Sequence, residues 1–213
     1  MSKVLKLRAA ILLLDLFDLM AFLFFVVGIV LTVRFFVFNP FTVVGQSMES
    51  TFSQGDFIIV DKITPKYGEL ERYDILVFVP DGKDVPFIKR LIGLPNETIV
   101  IENGNLYICD DEDLVDVDLT QQWLQAKDID VSGCDVADDS YLDEETVTRA
   151  TSSRSVFPID ADGYFMVGDN RWGSTDSRAC FGGTCYKGAN YLAYPNDIVG
   201  KVAVRLYPSI DKY

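Results

Sequence analysis

The sequence predicts a mainly β domain, built as a β-barrel or a coiled sheet, behind one N-terminal transmembrane helix. An apolar run over residues 9–33 is long enough to cross a membrane, and short β-branched and aromatic segments follow it. Glycine, proline and asparagine separate these segments, and no long amphipathic helix occurs among them. At 213 residues the chain has room for an anchor and one medium-sized domain.

The N-terminal apolar run has the length and composition of a membrane span. At about 1.5 Å per residue, a helix over residues 9–33 crosses a hydrocarbon core of about 30 Å with some tilt. Residues 19–33 carry no charge. Asp15 and Asp18 lie three residues apart on one helix face, which suits a partner or proton-relay site. A position near the cytoplasmic headgroups is the simpler interpretation, and we prefer it.

The charges in front of the span predict its orientation. Lys3, Lys6 and Arg8 precede it, so the positive-inside rule places the N-terminus in the cytoplasm. No small-x-small cleavage site follows the run, which predicts an uncleaved anchor rather than a signal peptide. We therefore expect an anchor over residues 1–34 and an extracytoplasmic domain over residues 35–213.

The predicted core of this domain comprises residues 35–109 and 156–213. Strands are predicted at residues 35–44, 57–60, 74–79, 86–92, 98–101, 106–109, 164–167 and 198–206. The strongest hairpin signal is the Glu-Asn-Gly-Asn turn at residues 102–105, between two β-branched segments.

An acidic stretch over residues 110–155 interrupts the β pattern. Residues 110–145 contain fourteen acidic residues and one lysine, which equals the net charge of −13 of the whole chain. We predict an α+β or irregular insertion that caps the domain, with a short helix at residues 119–126. Charge blocks are most often solvated surface, although recruitment of cations or basic partners is an alternative. No basic patch supports nucleic-acid binding, so no nucleic-acid partner is expected.

The four cysteines are Cys109, Cys134, Cys180 and Cys185. In an extracytoplasmic domain they favour disulfides. The glycine-containing loop from Cys180 to Cys185 can close on itself, which would leave Cys109 with Cys134. Three pairings are formally allowed, and free thiols remain an alternative. The spacing and the lack of histidine disfavour a zinc site, so no metal or cofactor is expected.

Ser47 has the context of a nucleophile, in the segment Gly-Gln-Ser-Met-Glu-Ser-Thr of residues 45–51. A serine nucleophile needs a base, and a chain without histidine must use the known lysine variant. A lysine with its ordinary pKa of about 10.4 is almost entirely charged at pH 7, so the base must be buried among apolar side chains. Lys89, between apolar neighbours on the predicted strand of residues 86–92, meets this requirement.

Four sequence blocks, in this order, resemble the type I signal peptidases, or bacterial leader peptidases. The blocks are residues 45–51, 55–60, 89–95 and 168–178. These enzymes are membrane-anchored serine proteases with a Ser-Lys dyad. The resemblance covers the anchor and residues 35–109 and 157–204, but not the acidic stretch. It implies a signal-peptidase-like β-barrel or coiled-sheet domain at the plasma membrane of a prokaryote.

The resemblance also implies roles for individual residues. Ser47 is similar to the family's nucleophile and Lys89 to its general base. Ser174 is similar to the serine that holds the lysine amine, and Asp176 and Arg178 resemble a structural ion pair beside the site. The expected substrate cleft contains small and medium apolar side chains that suit alanine-sized pockets, namely Val43, Val44, Met48, Phe87 and Ile88.

The expected function is removal of N-terminal signal peptides from secreted preproteins through an acyl-enzyme on Ser47. The expected partners are preproteins with a small-x-small cleavage site, the lipid bilayer and a secretion translocon. One alternative is a catalytically inactive, membrane-tethered peptide-binding homologue. A repressor-type autoprotease shares the Ser-Lys chemistry, but such proteins are soluble and bind DNA, which the predicted anchor and the charge of −13 contradict.

Overall fold

The computed structural model describes most of the chain and divides it into two compact units, Met1–Asn39 and Pro40–Tyr213. The described residues are 3–110, 129–142, 146–150, 154–182, 185 and 189–213. The short helix predicted at residues 119–126 lies outside them, as does much of the acidic stretch.

The first unit is dominated by one long helix, α1 (Lys3–Phe36). Its segment Ile11–Phe36 has a mean hydropathy of 2.6 and is long and apolar enough to cross a membrane. The prediction that β-structure begins at residue 35 is wrong, because the helical hydrogen bonding continues to the bond from Val37 N to Val33 O at 2.8 Å. Arg34 in the last turn favours this extension, since a cation complements the negative end of the helix dipole.

The described residues form eleven β-strands. They are β1 (Phe38–Thr42), β2 (Phe57–Asp61), β3 (Ile75–Phe78), β4 (Phe87–Gly93), β5 (Thr98–Glu102), β6 (Asn105–Cys109), β7 (Asp135–Val136), β8 (Val156–Pro158), β9 (Phe165–Val167), β10 (Ile198–Tyr207) and β11 (Asp211–Lys212). Each predicted strand segment overlaps one of them. The short strands β7, β8 and β11 were not predicted, because two or three residues carry too little pattern to detect.

The strands form two antiparallel sheets. The seven-stranded sheet has the order β1-β2-β10-β3-β4-β9, with β11 paired to β10, and the four-stranded sheet has the order β7-β6-β5-β8. The mainly β prediction is confirmed. The barrel alternative is not, because the strand order of the described residues does not close either sheet on itself.

The seven-stranded sheet positions the residues of the site. All four residues of β3 are buried, as are the last five of β4. Lys89 of β4 pairs with Leu76 of β3, and Arg90 pairs with Ile75 on one side and with Val167 of β9 on the other. Arg90 is therefore held between two strands, whereas Lys89 has a strand partner on the β3 side.

Two disulfides are present, Cys109–Cys134 and Cys180–Cys185. The first joins the end of β6 to the described part of the acidic insertion, next to the pairing of β7 with β6. The second closes the loop that follows Asp176 and Arg178. The first bond thus fastens an irregular segment to a sheet, and the second closes a loop on itself.

Candidate active site

Ser47 lies in a tight turn that follows β1. Glu49 N donates to Gln46 O at 3.2 Å, and Phe52 N donates to Met48 O at 2.7 Å, so successive backbone hydrogen bonds wind the segment. Gly45, two residues before the serine, has a φ of +90°, a conformation that glycine adopts without the steric cost of a side chain. The turn leaves Ser47 half-buried at the wall of a cleft.

Lys89 meets the serine from the neighbouring strand β4. Its Nζ lies 2.7 Å from Ser47 Oγ and donates a second hydrogen bond to Ile88 O at 2.8 Å. The Phe87 ring centroid is 5.4 Å from the same nitrogen. Lys89 is only 3% exposed, so its amine is enclosed by a hydroxyl, a carbonyl and apolar side chains.

This burial lowers the pKa of Lys89 from 10.5 to about 8, because a charged amine loses its hydration in the interior. The carboxylates of Asp176 and Asp169 oppose the effect and Arg178 assists it. With a pKa of about 8, about one amine in ten is neutral at pH 7, compared with about one in three thousand at 10.5. The site therefore supplies a usable base without histidine.

The dyad lies in a cleft of about 620 Å³ with mainly apolar walls. Four of the five residues predicted for the substrate cleft line it, namely Val43, Val44, Phe87 and Ile88. The sequence did not identify further lining residues such as Val85, Pro86, Gly173 and Thr175, which belong to irregular segments between strands.

Met48 departs from the prediction for the substrate cleft. It is 1% exposed and packs in the core with Phe52 and Ile58. The turn explains this, because the backbone winds after Ser47 and directs the next side chain inward instead of alternating as a strand would. Met48 therefore belongs to the core under the turn of Ser47 and does not line the cleft.

Asp176 and Arg178 form an ion pair with both side chains fully buried. Arg178 Nη2 lies 2.7 Å from Asp176 Oδ2, and Nε donates to Oδ1 at 2.9 Å. Gly168 N also donates to the Asp176 carboxylate at 3.0 Å. Burial alone would raise the pKa of Asp176, but the charge and hydrogen bonds of Arg178 outweigh it and hold the pKa below its usual value.

Ser174 lies beside the dyad but does not hold the lysine amine as predicted. Its buried hydroxyl makes no hydrogen bond of full geometry, although it helps to lower the pKa of Asp176. Lys89 Nζ is satisfied by Ser47 and Ile88 instead. A Cβ on Gly168 would lie 2.1 Å from Ser174 Oγ and 2.4 Å from Ser47 O, so glycine is what allows these segments to approach.

A second buried ion pair, Arg90–Asp169, was not identified from the sequence. Arg90 Nε donates to Asp169 Oδ1 at 2.9 Å, and Nη2 donates to Oδ2 at 2.7 Å. Thr51 Oγ1 donates to the same carboxylate at 2.6 Å. The available signal was an arginine and an aspartate, each placed within or beside a predicted buried strand, where an unpaired charge is costly.

The turn that carries Asp169 also holds the nucleophile segment directly. Asn170 N donates to Ser47 O at 3.1 Å, and its Nδ2 donates to Gln46 O at 3.0 Å. Among the described residues no cluster of histidine, cysteine, aspartate or glutamate suits a metal ion. The site brings together one hydroxyl, one buried amine and a hydrogen-bonded backbone turn.

A serine hydroxyl beside a buried lysine amine, in an apolar cleft of a mainly β domain, is the arrangement of a serine peptidase. The chain belongs to the signal peptidase family, peptidase S26, whose family model matches residues 16–207. It is an enzyme, a serine endopeptidase of the signal peptidase I type.

Similar proteins cover most of the chain. Signal peptidase I of Bacillus caldolyticus is 33% identical over 185 residues, which are 87% of this chain and 88% of that protein. Signal peptidase I of Bacillus amyloliquefaciens is 31% identical over 185 residues, 87% of this chain and 82% of that protein. A solved structure of a signal peptidase I from Enterococcus faecalis V583 is 23% identical, with a TM-score of 0.34, and covers 62% of this chain and 96% of that one.

Proposed function

We propose that this chain is a membrane-bound endopeptidase that removes N-terminal signal peptides from secreted preproteins, with Ser47 as the nucleophile and Lys89 as its general base. The observation that carries the proposal is the distance of 2.7 Å between Lys89 Nζ and Ser47 Oγ, with the amine 3% exposed. The family supports the reaction class, and this contact supports the choice of the two reacting groups.

In the first step the neutral amine of Lys89 accepts the proton of the Ser47 hydroxyl. Ser47 Oγ then attacks the carbonyl carbon of the scissile peptide bond and forms a tetrahedral intermediate. As the C–N bond breaks, the ammonium of Lys89 returns a proton to the leaving amine, and an acyl-enzyme ester remains on Ser47. Lys89 is neutral again after this transfer.

In the second step Lys89 takes a proton from a water molecule, which attacks the ester carbonyl. Collapse of the second tetrahedral intermediate releases the new carboxylate and returns the proton to Ser47 Oγ. Stabilisation of the oxyanion is assigned to backbone N–H groups, with that of Ser47 as the first donor. Gly45 has no hydroxyl to add, and a missing donor costs about 3 kcal/mol of transition-state stabilisation.

The cleft favours a short extended peptide with small side chains. Residues 41–44 border it on one side and residues 85–88 on another, and the dyad lies between apolar side chains. An extended segment can add to such backbone edges through main-chain hydrogen bonds, with alternate side chains in pockets. A small-x-small sequence, with its scissile carbonyl after the second small residue, fits this description.

The cellular setting follows from the N-terminal helix. A helix with the composition of Ile11–Phe36 supports a membrane anchor, and the basic residues before it support a cytoplasmic N-terminus. The catalytic unit would then be outside the cytoplasm, at the plasma membrane of a prokaryote. Its partners would be preproteins as they leave a secretion translocon, in contact with the lipid bilayer.

The alternative of an inactive peptide-binding homologue is less well supported. Such a protein has no need for a lysine whose pKa is lowered to about 8 beside a serine. Burial of this amine opposes folding in its charged form, so a function that uses the neutral form explains its presence better.

The decisive experiment is cleavage of a purified preprotein by the full chain in detergent or vesicles. Ser47→Ala and Lys89→Ala are each expected to lower kcat by more than about a thousandfold. Ser53→Ala and Lys66→Ala serve as matched controls, because both side chains are exposed, and they should cleave at the wild-type rate. Retention of cleavage by either dyad variant, at unchanged melting temperature, would contradict the proposal.

A further inference from the structure

The described end of the acidic insertion packs against two arginines near the dyad. The Arg90 guanidinium lies 3.9 Å from the centroid of the Tyr141 ring. The Tyr141 hydroxyl accepts a hydrogen bond from Arg171 Nη2 at 2.8 Å, and the same nitrogen lies 2.7 Å from Asp139 Oδ1. The insertion therefore contributes side chains to the interior of the site region and not only to the surface.

We propose that Tyr141 and Asp139 are positioning residues of the peptidase, which hold Arg90 and Arg171 so that the turn of residues 168–171 keeps Ser47 against Lys89. This inference rests on the proposed function, because it assigns a role relative to that dyad.

The first path runs from the Tyr141 ring to the nucleophile segment through Arg90. Stacking of a guanidinium on an aromatic face fixes its plane. In that plane Arg90 binds the Asp169 carboxylate with two hydrogen bonds and donates to Thr51 Oγ1 at 3.2 Å. Thr51 is four residues from Ser47, in the same turn, so the stacked ring restrains the nucleophile through one arginine.

The second path runs through Arg171, the residue that follows Asn170. Its side chain is fully buried, and its hydrogen-bonded partners among the described residues all belong to the insertion, namely Asp139, Tyr141 and Thr148. A buried guanidinium without partners is strongly unfavourable. The backbone at Asn170, which donates to Ser47 O, therefore depends on these partners for its position.

Tyr141 is suited to this position by its neutral hydroxyl. Burial raises the pKa of Tyr141 above its ordinary value, so the phenol stays protonated at working pH. It can accept from Arg171 and at the same time donate to Asp139 Oδ1, which lies 3.2 Å away. The hydroxyl thus joins the two charged partners without adding a charge of its own.

The segment that carries these residues is fastened at several points. The Cys109–Cys134 disulfide and the pairing of β7 with β6 fix its beginning. Asp138 N donates to the Tyr73 hydroxyl at 2.8 Å, and Tyr73 O accepts from Arg90 at 3.1 Å. These contacts give Tyr141 a defined position on Arg90, which a loosely attached cap would lack.

The test uses full-length variants and steady-state cleavage of a small-x-small peptide. Tyr141→Ala is expected to lower kcat at least about tenfold with KM changed less than about twofold, since none of the described insertion residues lines the cleft. Asp139→Asn should have a smaller effect of the same kind. Tyr141→Phe keeps the ring on Arg90 and should restore most of the kcat lost in Tyr141→Ala.

Asp135→Asn is the control, because it removes a carboxylate from the same segment at an exposed position of β7. It should leave kcat and KM unchanged.

A wild-type kcat for Tyr141→Ala would overturn the proposal. A loss of kcat fully accounted for by the unfolded fraction in thermal denaturation would overturn it as well. Ser47→Ala is assayed in parallel: if it is inactive while Tyr141→Ala is fully active, only the positioning role fails. Cleavage by Ser47→Ala, or none by the wild type, overturns the proposed function and this inference together.

Discussion

Two buried arginine–aspartate pairs flank the dyad and differ in what they join. Asp176 and Arg178 are two residues apart, within one loop, and both side chains are fully buried. Arg90 and Asp169 are 79 residues apart and join β4 to the turn after β9. Only the second pair reaches the nucleophile segment, through Thr51.

From this difference we infer that the two pairs act on different members of the proposed dyad. The local pair presents both signs of charge to Lys89, since Asp176 raises its pKa and Arg178 lowers it. Burial is the largest cause of the lowered pKa of Lys89, and the two members of the pair act on this pKa in opposite directions. The long-range pair instead contacts Thr51 in the segment that carries Ser47, and we expect it to position the serine. In the proposed dyad, the pKa of Lys89 is lowered chiefly by burial, whereas Ser47 is held by a segment that contacts a long-range ion pair.

The largest expected effect comes from breaking the long-range pair. Asp169→Asn leaves Arg90 buried without a counter-charge, which should destabilise the fold by about 3–5 kcal/mol. Because the Thr51 contact is weakened at the same time, kcat should fall even in the fraction that remains folded. Asp81→Asn, at an exposed carboxylate, is the control and should behave as the wild type. Urea denaturation and single-turnover cleavage measure the two effects. Full activity of the folded variant would show that the pair is only structural.

A second variant, Lys89→Met, tests whether burial lowers the pKa of Lys89 at a cost in stability. The folded pKa of Lys89, about 8, lies below its unfolded value of 10.5, so the unfolded chain binds this proton more tightly. Stability should therefore rise with pH between about 8 and 10.5, and the charge penalty at pH 7 is up to about 3 kcal/mol. Lys89→Met should be inactive yet more stable than the wild type at pH 7, and the gain should shrink above pH 10. Thermal melts across this pH range test the claim, and a destabilised Lys89→Met would refute it.

The smallest expected effect is a shift in the pH dependence of kcat/KM, and its size should differ between variants of the two ion pairs. In the wild type, kcat/KM should rise with pH through about 8, as Lys89 loses its proton. The Asp176 charge raises the pKa of Lys89, so Asp176→Asn should move this limb to lower pH, and Asp169→Asn should move it in the same direction by less. Profiles recorded well below the melting temperature of each variant provide the measurement. If Asp176→Asn shifted the rise of kcat/KM toward higher pH, the assigned effect of Asp176 on the pKa of Lys89 would be wrong.

The sequence was most informative where a local pattern repeats. Strand segments such as β3 and β4 were identified from their apolar, β-branched composition, and Lys89 from its place in one of them. The predictions were wrong where the chain passes from one type of secondary structure to another. Phe35 and Phe36 belong to the helix, because β propensity did not outweigh the continuing helical hydrogen bonds. Met48 faces the core, because the chain winds into a turn after Ser47.

By itself the sequence determined the apolar helix, the mainly β character and the need for a lysine base, since a chain without histidine leaves a serine few other partners. Each of these depends on composition or on neighbours along the chain. Only the tertiary structure decided the open sheets, the Arg90–Asp169 pair and the contact of Tyr141 with Arg90. These join residues far apart in the chain, and no local pattern encodes which distant segment will supply a counter-charge. The lowered lysine pKa belongs to the same category, because it depends on how completely the packed segments exclude water.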